Sequence, residues 1–225
     1  MTISVKICGI STEEALEAAI DAGADYAGFV FFKRSPRHLS LARAAELARR
    51  AEGRIFTVAL TVNARYGTLK AIMAKVRPDF LQIHGEESVD RVAAIRRLTR
   101  AHILKAIKVG EPGDVNAARV YEPVADLLLF DAKAGCHPGA LPGGNGLSFD
   151  WAWLPKARLR PNFMLSGGLN SDNVLAALST SEASAVDVSS GVETSPGVKS
   201  PALIRKFVTT AKSFDPAALT SIAVV

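Results

Sequence analysis

The chain has 225 residues, 48% of them hydrophobic, with 27 Lys and Arg against 22 Asp and Glu for a formal net charge of +5. That length and apolar content support one large core, so residues 1–225 are expected to form a single domain. No stretch approaches the roughly 18 to 20 apolar residues of a membrane span, and MTISVKICGI lacks the pattern of a secretory leader, so a cytoplasmic protein with no membrane partner is expected.

Taken in chain order, the first predicted strand is Ser4 to Cys8, followed by a helix from Thr12 to Ala22 with Ser11 as N-cap and Gly23 closing it. A second strand, Tyr26 to Phe31, leads through FKRSPRHLS (32–40) to a helix from Leu41 to Arg50 capped by Ser40. The third and fourth strands are Ile55 to Val62 and Phe80 to Ile83, the latter running into QIHGEE with His84 at its end. Ile103 to Lys108 and Leu127 to Asp131 are the fifth and sixth. AGCHPGALPGGNGLSFDW (134–151) is the longest predicted loop and opens the Trp151 helix; the span 132–148 reads as a lid or as tolerated slack. Phe163 to Ser166 and Ala185 to Ser189 are the seventh and eighth strands, and an apolar tail begins at about 213.

The strand ends recur every 21 to 35 residues, from Cys8 through Phe31, Asn63, His84, Lys108, Asp131 and Ser166 to Ser189, the interval of one strand, loop, helix and return. Eight such units, with no GxGxxG turn after the first strand, predict a closed (β/α)8 barrel rather than an open doubly wound sheet. In a closed barrel the chemistry gathers where the strands' C-terminal ends meet the βα loops.

Only Cys8 and Cys136 could supply thiols, too few for a disulfide framework and not spaced with the four histidines as a zinc site, so both are expected free and no metal is expected. The basic residues around Arg49, Arg50 and Arg54, and around Arg96, Arg97 and Arg100, fall on predicted helices without interleaved aromatics. They read as a solvated face, and nucleic acid is not an expected partner.

The most specific signal is a pair of loops, LSGGLN (165–170) and DVSSGVE (187–193), after the seventh and eighth strands. Barrels often hold a phosphate there on backbone N–H donors, with Gly167, Gly168 and Gly191 permitting close approach and Ser189 and Ser190 adding hydroxyls; the alternative is that the glycines only turn corners. Asp131 ends an apolar strand, either as a general acid or as a carboxylate capping loop amides. Cys8 is either a small core residue or a base; strand alternation turns Lys6 to its side, where an ammonium would favour thiolate. Arg37, beside Pro36, is either a fork for a carboxylate or a surface arginine, and His84 either lines the mouth or packs a loop.

VKICGI, GFVFFKRSPR, LQIHGEE, LFDAK, GGNGLSFDW, LSGGLN and VDVSSGVE together resemble the phosphoribosylanthranilate isomerases of tryptophan biosynthesis, over residues 4 to about 210. The resemblance implies Cys8 as general base, Asp131 as general acid, Arg37 on the anthranilate carboxylate, and the phosphate on the loops at Gly167, Gly168, Ser189, Ser190 and Gly191. It implies an Amadori rearrangement of a small phosphorylated, carboxylate-bearing substrate, with no cofactor, in a monomer or homodimer. Thr61 stands where that family more often has a bulky apolar residue, Asn145 where it has threonine or serine, and the tail past 213 extends beyond its usual end. Another phosphosugar barrel isomerase would be expected to carry aspartates where this chain has Cys8 and Lys108, and a non-catalytic phosphate sensor would need neither Cys8 nor Asp131.

Overall fold

A computed structural model describes residues 2–133, 143–144, 146–157, 159 and 162–215. Eight parallel strands close into a barrel in sequence order: β1 (Ser4–Cys8), β2 (Tyr26–Val30), β3 (Phe56–Thr61), β4 (Phe80–Ile83), β5 (His102–Val109), β6 (Leu127–Ala132), β7 (Phe163–Leu165) and β8 (Ala185–Val188). The pairing of β1 with β8 closes the ring, with Lys6 opposite Asp187. Each predicted strand is present with ends within two residues. The exception to the predicted plan is an extra antiparallel hairpin after β8, β9 (Glu193–Ser195) and β10 (Val198–Lys199), whose five residues carry too little apolar alternation to announce themselves.

The intervening helices are α1 (Glu13–Asp21), α2 (Leu41–Ala51), α3 (Tyr66–Lys75), α4 (Val89–Thr99), α5 (Pro112–Ala117), α6 (Trp153–Lys156), α7 (Val174–Ser181) and α8 (Pro201–Lys212). Ser40 caps α2 as expected, its hydroxyl accepting from Arg43 N. The cap of α1 is Thr12 rather than Ser11: Thr12 is extended and its hydroxyl accepts from Ala15 N, three residues into the turn. The helix expected at Trp151 begins two residues later and is a single turn. Arg49 and Arg50 lie on α2 and Arg96 and Arg97 on α4, whereas Arg54 and Arg100 follow those helices. Surface ion pairs occupy Arg50 (Glu13, 2.7 Å), Arg54 (Glu17, 2.7 Å) and Arg96 (Asp126, 2.7 Å).

Strand alternation divides the core into two layers. Val5, Ile7, Ala27, Phe29, Leu81 and Ile83 face the helices in one continuous cluster, while Val58, Leu104, Leu129 and Met164 fill the barrel interior as a separate one. The interior phase carries polar residues toward the C-terminal end, so Lys6, Gln82 and Asp187, all buried, lead to Cys8, His84 and Ser189. Thr61 is also buried, with its hydroxyl donating to Gln82 O at 3.4 Å, so the polar group at that position has a partner. No helix among the described residues is long and apolar enough to cross a membrane. Cys136, Asn145, most of the expected lid and the tail from 216 lie outside the described residues.

Candidate active site

Two adjoining cavities open at the C-terminal ends of the strands. The first, about 50 Å³, is lined by Cys8, Arg37, His84, Asp131, Gly143, Gly144 and Asp187, with Val30, Phe32, Leu60 and Val62 as an apolar wall. The second, about 20 Å³, is lined by the turns after β7 and β8, including Gly167, Gly168, Ser189 and Ser190, and shares Asp131, Ser166 and Asp187 with the first. A larger groove of about 820 Å³ lies at the opposite end between α2 and α3, lined by Arg49, Arg54, Lys75, Asp25 and Asp79 among others. It is the weaker candidate despite its size, because Asp25 and Asp79 are already bonded to strand amides.

Cys8 is 5% exposed and shares the first cavity with Asp131. Gly28, its register partner on β2, makes the room: a Cβ there would lie 3.1 Å from Cys8 Sγ and 3.3 Å from Lys6 Nζ. Lys6 does reach the thiol's side, but its Nζ also bonds Asp187 Oδ1 at 2.9 Å in a fully buried pair. The ammonium expected to favour thiolate is therefore shared with a carboxylate. Burial pushes the Cys8 thiol up, Lys6 and Lys199 pull it down, Asp187 pushes it up again, and the net displacement is upward. Burial alone would lower Lys6, but Asp187 and Cys8 together raise it, so it remains an ammonium. Asp187 also stands 3.3 Å from the Ser166 hydroxyl.

Asp131, buried at the end of β6, faces His84 across the mouth with Nε2 to Oδ2 at 3.2 Å, within hydrogen-bond reach but with the N–H poorly aligned on the carboxylate. Gln82 Nε2 donates to His84 Nδ1 at 2.9 Å, which in this amide orientation puts the ring proton on Nε2, toward the cavity. His84 Nε2 is thus a buried donor without a hydrogen-bond partner among the described residues. Lys105 braces the turn behind it, bonding Gly85 O at 2.8 Å and Ile83 O at 3.2 Å.

Gly167 and Gly168 have φ of 93° and 64°, and a Cβ on Gly167 would meet Ala132 N at 2.7 Å, so this turn requires glycine twice. Gly191 lines neither cavity. A Cβ on it would lie 1.9 Å from Leu169 O, so its part is to let the β8 turn press against the β7 turn. Ser189 donates to Cys8 O at 3.2 Å, tying the second cavity to the strand that carries the thiol.

Arg37 is buried, which removes its surface reading, but half its fork is in use: Nε and Nη2 donate to Glu193 at 2.7 and 2.8 Å. Among the charged side chains sealed from solvent around the mouth, Asp187, Glu193 and Lys199 are ones that the sequence reading missed. Asp187 had a legible signal, an acid inside the apolar strand AVDV on the same phase as Ser189. Glu193 and Lys199 sit in the unannounced hairpin and had none.

Residues 5–210 match the family model described as N-(5'phosphoribosyl)anthranilate (PRA) isomerase. The chain belongs to that isomerase family. The N-(5'-phosphoribosyl)anthranilate isomerase of Parvibaculum lavamentivorans is 50% identical over 213 residues, covering 94% of this chain and 99% of that one. That of Azorhizobium caulinodans is 51% identical over 219 residues, covering 96% and 95%. The crystal structure of phosphoribosyl anthranilate isomerase from Thermotoga maritima superposes with a TM-score of 0.83 at 34% identity, over 94% of this chain and 100% of that one. A further isomerase of this family, solved in complex with reduced 1-(o-carboxyphenylamino)-1-deoxyribulose 5-phosphate, superposes at 0.81 with 32% identity over the same shares. These superpositions cover the whole of both solved chains, so the closed barrel described above is the fold this chain shares with them.

Proposed function

We propose that this isomerase of tryptophan biosynthesis converts N-(5-phosphoribosyl)anthranilate to 1-(2-carboxyphenylamino)-1-deoxyribulose 5-phosphate with Asp131 as general acid and Cys8 as general base. The single observation that carries the assignment is that these two side chains, from strands on either side of β7 and β8, line one cavity continuous with the two glycine-serine turns. Asp131 protonates the furanose ring oxygen, the C1′–O bond breaks, and the aryl nitrogen is left as an iminium. Its electron demand acidifies the C2′ proton, which passes to the Cys8 thiolate, and the resulting enolamine ketonises by taking a proton at C1′ and giving up the proton of its C2′ hydroxyl.

The cationic intermediate fits a thiol whose resting pKa is raised. Cys8 has to lose its own proton to solvent before it can take the one at C2′, and Lys6, held as an ammonium by Asp187, supports that thiolate from behind. The phosphate takes the turns at Gly167, Gly168, Ser189 and Ser190, and Gly191 serves there as packing rather than contact. His84 Nε2 donates into the cavity, and the free edge of Arg37 takes the aryl carboxylate. The same reading takes the enzyme as cytoplasmic, and as a monomer or homodimer; the Thermotoga maritima relative is described as dimeric with engineered monomers.

The test is a turnover assay on the purified protein and on Cys8→Ala and Asp131→Asn, paired with binding of the reduced product. Wild type turns over, and each variant loses turnover while still binding the analogue. Full activity in either variant removes that residue from its role.

A further inference from the structure

We infer that Glu193 is a positioning residue that aims Arg37 at the aryl carboxylate and links that grip to the phosphate turn through Lys199. The inference rests on the reading of Arg37 given above. Glu193 Oε1 accepts from Arg37 Nε at 2.7 Å and Oε2 from Nη2 at 2.8 Å, a side-on bidentate pair with both side chains nearly sealed from solvent. A guanidinium held side-on keeps its other edge, Nη1 with the outer N–H of Nη2, free to meet a second carboxylate end-on. That edge is the one at the mouth: Arg37 lines the first cavity, and a Cβ on Gly144 of the cavity wall would lie 2.6 Å from Nη1. The aliphatic stem is fixed too, since a Cβ on Gly9 would strike Arg37 Cδ at 2.5 Å.

The second half of the link runs through Lys199. Its Nζ bonds Glu193 Oε1 at 2.6 Å and Ser189 O at 3.0 Å, with Ser189 Oγ at 3.3 Å. Ser189 in turn donates to Cys8 O, so one run of polar contacts joins Arg37, Glu193, Lys199, Ser189 and the strand bearing the base. The cluster holds two cations on one carboxylate. Burial raises Glu193, but Arg37 and Lys199 outweigh it and keep the carboxylate ionised. Burial pulls Lys199 below its ordinary value, so it is the permanently charged fork of Arg37, rather than a net charge of the cluster, that is presented to an anion.

A hairpin of three and two residues could not hold this geometry by itself. The Glu193 pair therefore also fastens the hairpin, and the experiment has to separate the two roles. Two product analogues serve: the reduced 1-(2-carboxyphenylamino)-1-deoxyribulose 5-phosphate, and the same compound without its ring carboxyl. Their dissociation constants are measured for wild type, Glu193→Gln and Arg37→Ala, together with kcat and KM. Wild type is expected to prefer the carboxylated analogue by roughly tenfold or more, about the worth of one charge-assisted contact. Glu193→Gln is expected to lose most of that preference, raising KM more than it lowers kcat, while binding the decarboxylated analogue within about twofold of wild type.

Equal weakening of both analogues assigns Glu193 to the hairpin alone and overturns the inference. So does a full preference in Glu193→Gln when Arg37→Ala has lost it. If Arg37→Ala keeps the preference, the carboxylate lies elsewhere and the underlying reading of Arg37 falls first. Glu193→Asp, which keeps the charge but withdraws it by one methylene, is read in the same way should the glutamine variant not fold.

Discussion

The two ends of the barrel use the same side chain in opposite ways. At the floor, Asp25, Asp79 and Asp126 each stand one residue before an even-numbered strand and accept from a backbone N–H of the preceding odd strand, Val5, Thr57 and Ile103, at 2.7 Å in every case. Each has a second partner as well: Lys212 at 2.6 Å, the Thr57 hydroxyl at 2.8 Å and Arg96 at 2.7 Å. Before β8 the place is taken by Ser184, whose carbonyl accepts from Ser4 N. At the mouth, Asp131 has no such amide among the described residues and stands beside the oblique edge of His84. A carboxylate on strand amides holds the ring together; one withheld from them is available to a ligand.

That contrast is sharpest in substitutions that trade activity against stability. Cys8→Ala and Asp131→Asn are expected to lower kcat by ~10² to 10⁴ with thermal midpoints close to wild type, measured by steady-state kinetics and calorimetry on the same preparations. Asp79→Ala reverses the pattern. Losing the acceptor of both Thr57 N and its hydroxyl is expected to cost about 1 to 3 kcal/mol in denaturant unfolding, with kcat unchanged. A large kcat loss in Asp79→Ala, or a large stability loss in Asp131→Asn, would dissolve the division between the ends.

A third prediction uses pH. Burial raises the Cys8 thiol, and only the thiolate is nucleophilic, so the rate of alkylation at Cys8 by iodoacetamide, read on its peptide by mass spectrometry, should climb as pH rises, by up to tenfold per unit, toward a limb above the ordinary thiol value. Lys6 is raised as well, so its ammonium persists across that range and does not produce the limb. A profile that is already flat at neutral pH would show the thiol to be ionised at rest.

How much of this was legible follows the same division between the ends. The strands announced themselves as apolar runs, and Cys8, His84 and Asp131 stood out because polar residues ending such runs must emerge at the mouth. The turns after β7 and β8 were legible as glycine-serine pairs, although Gly191 packs between the turns and lines neither cavity. What sequence could not supply was the balance of buried charges. Alternation brought Lys6 to the thiol, but only the closure of β8 onto β1 places Asp187 beside that lysine and claims its charge. Glu193 meets Arg37 across more than 150 residues of chain and is itself bonded by Lys199, both from a hairpin with no pattern of its own.

The smallest effect probes the floor and the mouth at their point of contact, Gly28. This glycine has an ordinary backbone conformation in mid-strand, so an alanine there is strained only by its neighbours: Cys8 Cα at 3.0 Å, Cys8 Sγ at 3.1 Å and Lys6 Nζ at 3.3 Å. Two of the three are side-chain ends that can retreat by a few tenths of an ångström, so folding should suffer by only about 1 kcal/mol. The retreat, however, separates the thiol from its ammonium and from the cavity. Gly28→Ala is therefore expected to lose severalfold in kcat, to shift the ascending pH limb further upward, and to bind the reduced product nearly as wild type does. An unshifted limb would mean that the proximity of Lys6 does not set the acidity of Cys8, and the thiol's ionisation would then have to come from the substrate's own charge.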